Sequence, residues 1–184
     1  MKKMRKCMTL AVLAVLSLSF TSCEDNDEEI AYTLEGTWRG DMYVSAEYDG
    51  TVYDATYSEI CFVCDPHHYS SGTGYWVDHY SDSGWGRNHV VNHIEWKVNN
   101  ESIKVYFVEE KATVFIENYR LDDMYFTGTI HDGDNYVDFS LRHITSPNWD
   151  YYFDDYAKEN NTWTRANTDA EPVAAPKRIF RTNK

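Results

Sequence analysis

The sequence predicts an all-β domain, an antiparallel meander of about eight strands closed into a barrel. Three observations lead there. Apolar and polar residues alternate with period two through most of residues 34–144, as in strands with one buried face. Turn signals such as Asp49-Gly50, Asn99-Asn100 and His131-Asp132-Gly133 recur at short intervals, as sequential hairpins require. No helical period interrupts the run between Leu34 and Ile144.

The chain opens with an export segment, residues 1–22. Lys2, Lys3, Arg5 and Lys6 form a positive start, and Met8 to Phe20 is a largely apolar run of thirteen residues. That is too short to span a bilayer and right for a signal peptide. Phe20-Thr21-Ser22-Cys23 resembles a lipobox, where cleavage falls just before a Cys that is acylated; Phe20 stands where Leu is usual. An ordinary cut after Ser22 would want a small residue at position 20. Cys23 is therefore the expected lipidation site and membrane anchor. Residues 23–33 follow as a tether, whose Glu24–Glu29 run carries five carboxylates that repel one another and favour an extended chain. The run's placement resembles the acidic export signal of surface lipoproteins of Bacteroidota, which implies the outer membrane, facing the cell surface or, alternatively, the periplasm. Removing the four basic residues of the signal moves the formal charge from −13 to −17. Such a surface repels phosphate backbones and excludes nucleic acid as a natural partner.

Residues 34–163 form the predicted domain. Trp38, Gly40, Met42, Val44 and Ala46 mark the inward face of a first strand, and Asp49-Gly50 turns it. A second strand runs from about Thr51 to Val63 with Ile60 and Phe62 on one face, and Asp65-Pro66 breaks it. Gly72-Thr73-Gly74 reads as the place where a turn meets the next strand, Tyr75 to Tyr80, and a polar loop covers Ser81 to Asn88. The inward sets then run Ile94/Trp96/Val98, Ile103/Val105/Phe107, Val114/Ile116, Phe126/Gly128/Ile130 and Val137/Phe139/Leu141. Closing such a sheet removes its exposed edges, and eight strands leave an interior that side chains fill or that holds one small ligand. Trp149, Tyr152, Phe153, Tyr156 and Ala157 fit one face of a short C-terminal helix. Their aromatic content suits a strand or a covering segment nearly as well. Residues 164–184, with two Pro, small residues and several basic ones, read as a disordered tail.

Leu34-Glu-Gly-Thr-Trp-Arg-Gly40 resembles the opening of lipocalin-like domains, in which G-x-W begins strand one at the closed end of the barrel. Gly36 and Trp38 match. The resemblance implies a ligand-holding cup with a late-strand Arg packed over the Trp, and Arg142 is the candidate. The T-D-Y signature of true lipocalins is absent; Glu117-Asn118-Tyr119 is the nearest stretch. Ser71 to Tyr75, Trp96 to Glu101 and Asn118 to Leu121 resemble segments of small lipocalin-like lipoproteins of Bacteroidota, which implies fold and location but no chemistry.

Candidates for chemistry are few. Cys61-Phe-Val-Cys64, followed by His67 and His68, has the ligand types and spacing of a zinc site. A local Cys61–Cys64 disulfide is the alternative in an oxidising compartment. Two separate thiols are the third reading, because positions three apart on a strand face opposite ways. His67, His79 and His93 could converge from neighbouring strands, although solvated loop histidines are the simpler account. No nucleophile elbow, HExxH, Walker loop or dinucleotide fingerprint occurs, so no catalytic residue and no cofactor are expected.

Tyr75, Trp76, Tyr80 and Trp85 read as outward or loop aromatics, suited to contacts with sugars or proteins. The leading expectation is a non-enzymatic lipoprotein that binds a small ligand in its barrel. The alternative is a protein- or glycan-interaction or inhibitor module that uses the aromatic exterior.

Overall fold

The computed structural model of the protein describes the backbone from Ser22 to residue 149, with side chains from Asn26 onward, together with Tyr152 and residues 176–181. Residues 1–21, most of the expected C-terminal helix and residues 164–175 lie outside the described residues. So does the side chain of Cys23.

A helix, α1 (Ser22–Leu34), leads into β1 (Gly36–Asp41) and β2 (Val44–Tyr48). Then come β3 (Thr51–Asp65), β4 (His68–Tyr80), β5 (His89–Asn99), β6 (Ser102–Phe107), β7 (Ala112–Leu121), β8 (Tyr125–His131) and β9 (Tyr136–Ile144). A last strand, β10, spans Lys177–Phe180. Successive hairpins pair β3 through β9 antiparallel in chain order. β1 then pairs with β9 on one side and with the second half of β3 on the other. Eight strands, β1 and β3 to β9, thus close an all-β barrel.

The first predicted strand keeps its phase but breaks in two. Trp38, Met42, Val44 and Ala46 are all buried, yet Tyr43 takes a left-handed conformation (φ 48°). Its N–H donates to Asp41 Oδ1 at 2.8 Å. The break lets β2 leave β9 and pair with the first residues of β3. Gly72 and Gly74 lie within β4 rather than at a turn. A Cβ at either would overlap a carbonyl of β3, at Val63 and Cys61 respectively. Their bareness lets the Trp96 ring lie across Gly72, where its Nε1 donates to Thr73 O at 2.9 Å.

The interior is filled. Trp38, Phe62, Trp76, Phe107 and Phe126 are essentially without exposure and form one core with Ile60, Ile94, Ile103, Ile116 and Ile130. Each such side chain contributes about 1.5–3 kcal/mol by leaving water.

Two segments depart from the sequence expectation. The acidic run is not an extended tether; it lies in the first half of α1. Acidic residues in a first helical turn favour the positive end of the helix dipole. Asp27, Ala31 and Leu34, spaced four and three apart, share one face, and all three are buried on the end of the barrel. The tail also differs from a disordered segment over its last described stretch. β10 pairs with β2, Phe180 opposite Val44 and Arg178 opposite Ala46. Phe180 is 5 % exposed, so this end of the chain belongs to the folded unit.

Candidate functional site

Trp38 sits where the closed end of the barrel was expected. It is fully buried, and its Nε1 donates to Leu34 O at 2.8 Å, which ties the barrel to the end of α1. Gly36 is required beside it: φ is +127°, and a Cβ there would overlap the His143 ring. The partner over Trp38 is His143, edge-on at 4.9 Å and its register neighbour on β9. Arg142 is not that partner. It falls one residue out of phase with inward Leu141 and therefore points outward, over the Tyr125 ring at 5.2 Å, with Nη2 donating to Tyr125 Oη at 2.9 Å.

The cysteine and histidine candidates do not converge. Cys61 and Cys64 are both free thiols, and the alternation of β3 sends them to opposite faces. Cys64 Sγ donates to Ala31 O at 3.4 Å under α1. Burial and the nearby Glu35 push its thiol up to about 11. His67 and His68 lie at the β3–β4 turn, gathered by Asp65 rather than by the thiols. Among the described residues no group of His, Cys, Asp and Glu has the geometry of a metal site.

The four candidate aromatics divide. Trp76 and Tyr80 share the inward phase of β4 with Asp78 and are 0 % and 4 % exposed. They are core, because the strand begins seven residues earlier than expected and its alternation fixes their side. Trp85 caps one end of the barrel against Tyr48, Tyr53 and Tyr80, with ring centroids 5.0–5.8 Å apart. Only Tyr75 of the four faces outward along β4, and Trp149 covers it at 5.5 Å. Next to it, His79 is stacked on Tyr57 at 4.3 Å and reaches Glu59 Oε2 at 3.2 Å. Glu59 lies outside the barrel yet has no exposed surface. Arg39 Nε donates to it at 2.6 Å and Tyr152 Oη at 3.2 Å. Burial pushes its carboxyl up, but hydrogen bonds and charge from His79 and Arg39 outweigh that and hold it below the ordinary range. This face is therefore occupied by the protein's own chain.

An open concavity lies elsewhere. A cleft of about 640 Å³ runs between α1 and the strands β6 and β7. Three irregular features build it. On α1, Asn26, Glu29 and Thr33 face it, with Ile30 as apolar floor. The β5–β6 turn supplies Asn100 and Glu101, both left-handed (φ 50° and 61°). Asp27 fixes that turn by accepting both of its backbone N–H groups, and Asn26 Nδ2 donates to Glu101 Oε1 at 2.9 Å. The third feature is a bulge in β7, where pairing with β8 slips between Glu117 and Arg120 and Asn118 takes φ 50°. The bulge brings Glu117, Asn118 and Tyr119 to the cleft. Opposite, Gly128 leaves room for it: a Cβ there would stand 2.7 Å from that of Tyr119.

The lining is rich in carboxylates, carboxamides and hydroxyls and, among the described residues, contains no Lys, Arg or His. The Tyr119 hydroxyl is buried with no partner among the described residues. Leaving such a group unpaired costs about 1–3 kcal/mol. Burial, with Glu101 and Asp27 nearby, pushes it up to about 12, so it stays a neutral donor. Chemically the cleft accepts hydrogen bonds in excess. It suits a neutral or cationic molecule bearing hydroxyl or amino groups and repels anions.

None of these cleft residues was singled out by alternation, because each sits where the alternation fails. The signals were present as Asn-Asn-Glu at 99–101 and Glu-Asn-Tyr at 117–119, where Asn tolerates the left-handed backbone. Comparison with family models, with curated proteins and with solved structures finds no match for the chain.

Proposed function

We propose that the protein is an exported binding lipoprotein of the outer membrane, anchored through Cys23, that holds a small hydroxyl- or amine-rich molecule in the α1–β7 cleft. One observation carries the ligand reading: the cleft is open, polar and, among the described residues, free of cationic side chains, while the barrel interior is packed with aromatic and branched residues. The binding place thus moves from the expected cup to the outside of the barrel's helix-capped end. The outward-aromatic alternative has less support, because Trp76 and Tyr80 are buried and Trp149 covers Tyr75. Export and anchoring rest on the basic start, the apolar run and Cys23.

The test is native mass spectrometry of the protein extracted from its own membranes, in wild-type and Glu101→Ala/Tyr119→Phe forms. The expected result is an acylated Cys23 and a bound small molecule that the double variant loses. An unmodified Cys23 that fractionates with soluble protein would overturn the anchor. A ligand retained by the double variant, or no ligand from the membranes together with no binding of a monosaccharide and polyamine panel, would overturn the cleft.

A further inference from the structure

The α1–β7 cleft sets an acidic rim over an apolar floor. Ile30, Tyr119 and Leu121 make the floor; each is half-buried and packs against the core. The rim carboxylates stand on three separate elements. Glu29 is on α1, Glu101 on the β5–β6 turn and Glu117 at the edge of the β7 bulge.

Little within the protein neutralises this rim. Glu101 takes its hydrogen bond from Asn26, an uncharged amide. Among the described residues, the basic side chain within ion-pair reach of the rim is His131, whose Nε2 stands 3.5 Å from Glu117 Oε2. Its ring is not part of the lining; it is stacked between Phe115 at 5.4 Å and Tyr136 at 4.8 Å. A fourth carboxylate, Asp27, is 8 % exposed and accepts from the backbone of the same turn as Glu101. The combined field reaches Tyr119, whose hydroxyl is buried with no partner among the described residues. Glu101 and Asp27 reinforce burial in keeping its proton on. A field that opposes a phenolate there favours an ammonium, and the hydroxyl oxygen can accept from one.

Other ligand classes fit this combination less well. Anions are repelled. A metal ion needs several oxygens gathered at one point, and among the described residues no group of Asp, Glu, His and Cys is so gathered. A sugar gains from an open ring face to stack on. The aromatic ring of the lining is that of Tyr119, which packs with the core and meets Phe126 edge-on at 5.9 Å. An apolar stem between separated positive charges matches both floor and rim.

We propose that the cleft binds a linear polyamine, with its methylenes over Ile30 and Leu121 and its ammonium groups at Glu101 and Glu117. This rests on the cleft being the binding site, as proposed above, and narrows its ligand to one chemical class.

The test is calorimetric titration of the intact chain at low salt with spermidine, with 1,8-octanediol as an uncharged chain of similar length, and with glucose. Glu101→Gln/Glu117→Gln removes two rim charges and keeps the acceptor for Asn26. Glu47→Gln/Glu95→Gln, at exposed positions of β2 and β5, removes the same charge away from the cleft. Saturable spermidine binding is expected, about 10-fold weaker in the rim variant, unchanged in the control variant and weakened by added salt. Octanediol and glucose should not displace it. If the rim variant melts well below wild type, Glu29→Gln/Glu117→Gln repeats the test without touching the turn. Equal weakening in rim and control variants, or none in either, would reduce the binding to the overall acidity of the chain and overturn the proposal. Rim-dependent binding of glucose or octanediol without binding of spermidine would overturn the polyamine and leave the cleft as the site. Binding of none of the three would overturn the polyamine and count against the cleft itself.

Discussion

The Asp27 carboxylate accepts two hydrogen bonds, from the backbone N–H of Asn100 at 3.0 Å and of Glu101 at 3.1 Å. They join residues more than seventy positions apart and set the helix against a turn whose two residues are both left-handed. One side chain thereby fixes the width of the cleft. Asp27→Ala leaves both donors unpaired, at a cost of about 1–3 kcal/mol. Urea melts should show that loss, and a ligand bound in the cleft should weaken with it. Full stability in Asp27→Ala would mean that burial of Ala31 and Leu34 and the bonds to Glu101, Trp38 and Cys64 hold α1 without it.

Trp38→Ala should cost about 3–5 kcal/mol, as truncation of a buried aromatic does. It also releases the carbonyl of Leu34 from the indole. Arg142→Ala should change stability by no more than about 0.5 kcal/mol, since it lies on the surface over Tyr125. Chemical denaturation of both variants distinguishes the inward residue of β1 from the outward residue of its neighbour β9. A large effect at Arg142 would contradict its assignment.

Glu59 predicts an acid limb. Its folded-state pKa lies below the unfolded one, so its ionised form adds stability above the ordinary value of 4.5. That contribution is lost as pH falls through the depressed folded-state value. Glu59→Gln should therefore be less stable than wild type near neutral pH, with the gap closing below 4.5. Melts from about pH 7 to about pH 3 read this directly. A gap independent of pH would show that packing, not charge, is what the variant lost.

Cys61 and Cys64 should both be found as thiols. Burial raises each above the ordinary range, Cys64 to about 11, and thiols so raised react slowly. Native protein should resist iodoacetamide near neutral pH, and denatured, unreduced protein should take up one label at each. A mass lower by two hydrogens in the peptide spanning the pair would reveal a disulfide and require β3 to bend.

Alternation was legible because burial on one face writes it directly into the chain. Trp38, Ile60, Phe62, Trp96, Phe107, Phe126 and Phe139 could all be placed inward, and the structure buries each. Arg142 was misplaced by one position, which on a strand reverses the side entirely. Trp76 was misplaced because Gly72-Thr73-Gly74 reads as a turn, and only the close approach of the β3 carbonyls of Val63 and Cys61, with the Trp96 ring over Gly72, explains bare backbone there. β10 carried no readable signal. Lys-Arg-Ile-Phe is short and half basic, and Arg178 is buried only because Asp78 and Glu110, at least 68 positions away, wait for it. Cleft residues escaped for a related reason: a bulge and a left-handed turn are defined by what they interrupt.

The helix that begins at Ser22 makes a stiff mooring. With acyl chains on Cys23, as proposed, only about 6 Å of helix separates the lipid from Asp27, at ~1.5 Å per residue. A flexible leash would let the barrel tumble above the bilayer; a rigid post without slack sets its attitude. Anchored in that way, the protein would hold its cleft within short reach of the headgroups, where it would meet molecules lying in or leaving the membrane.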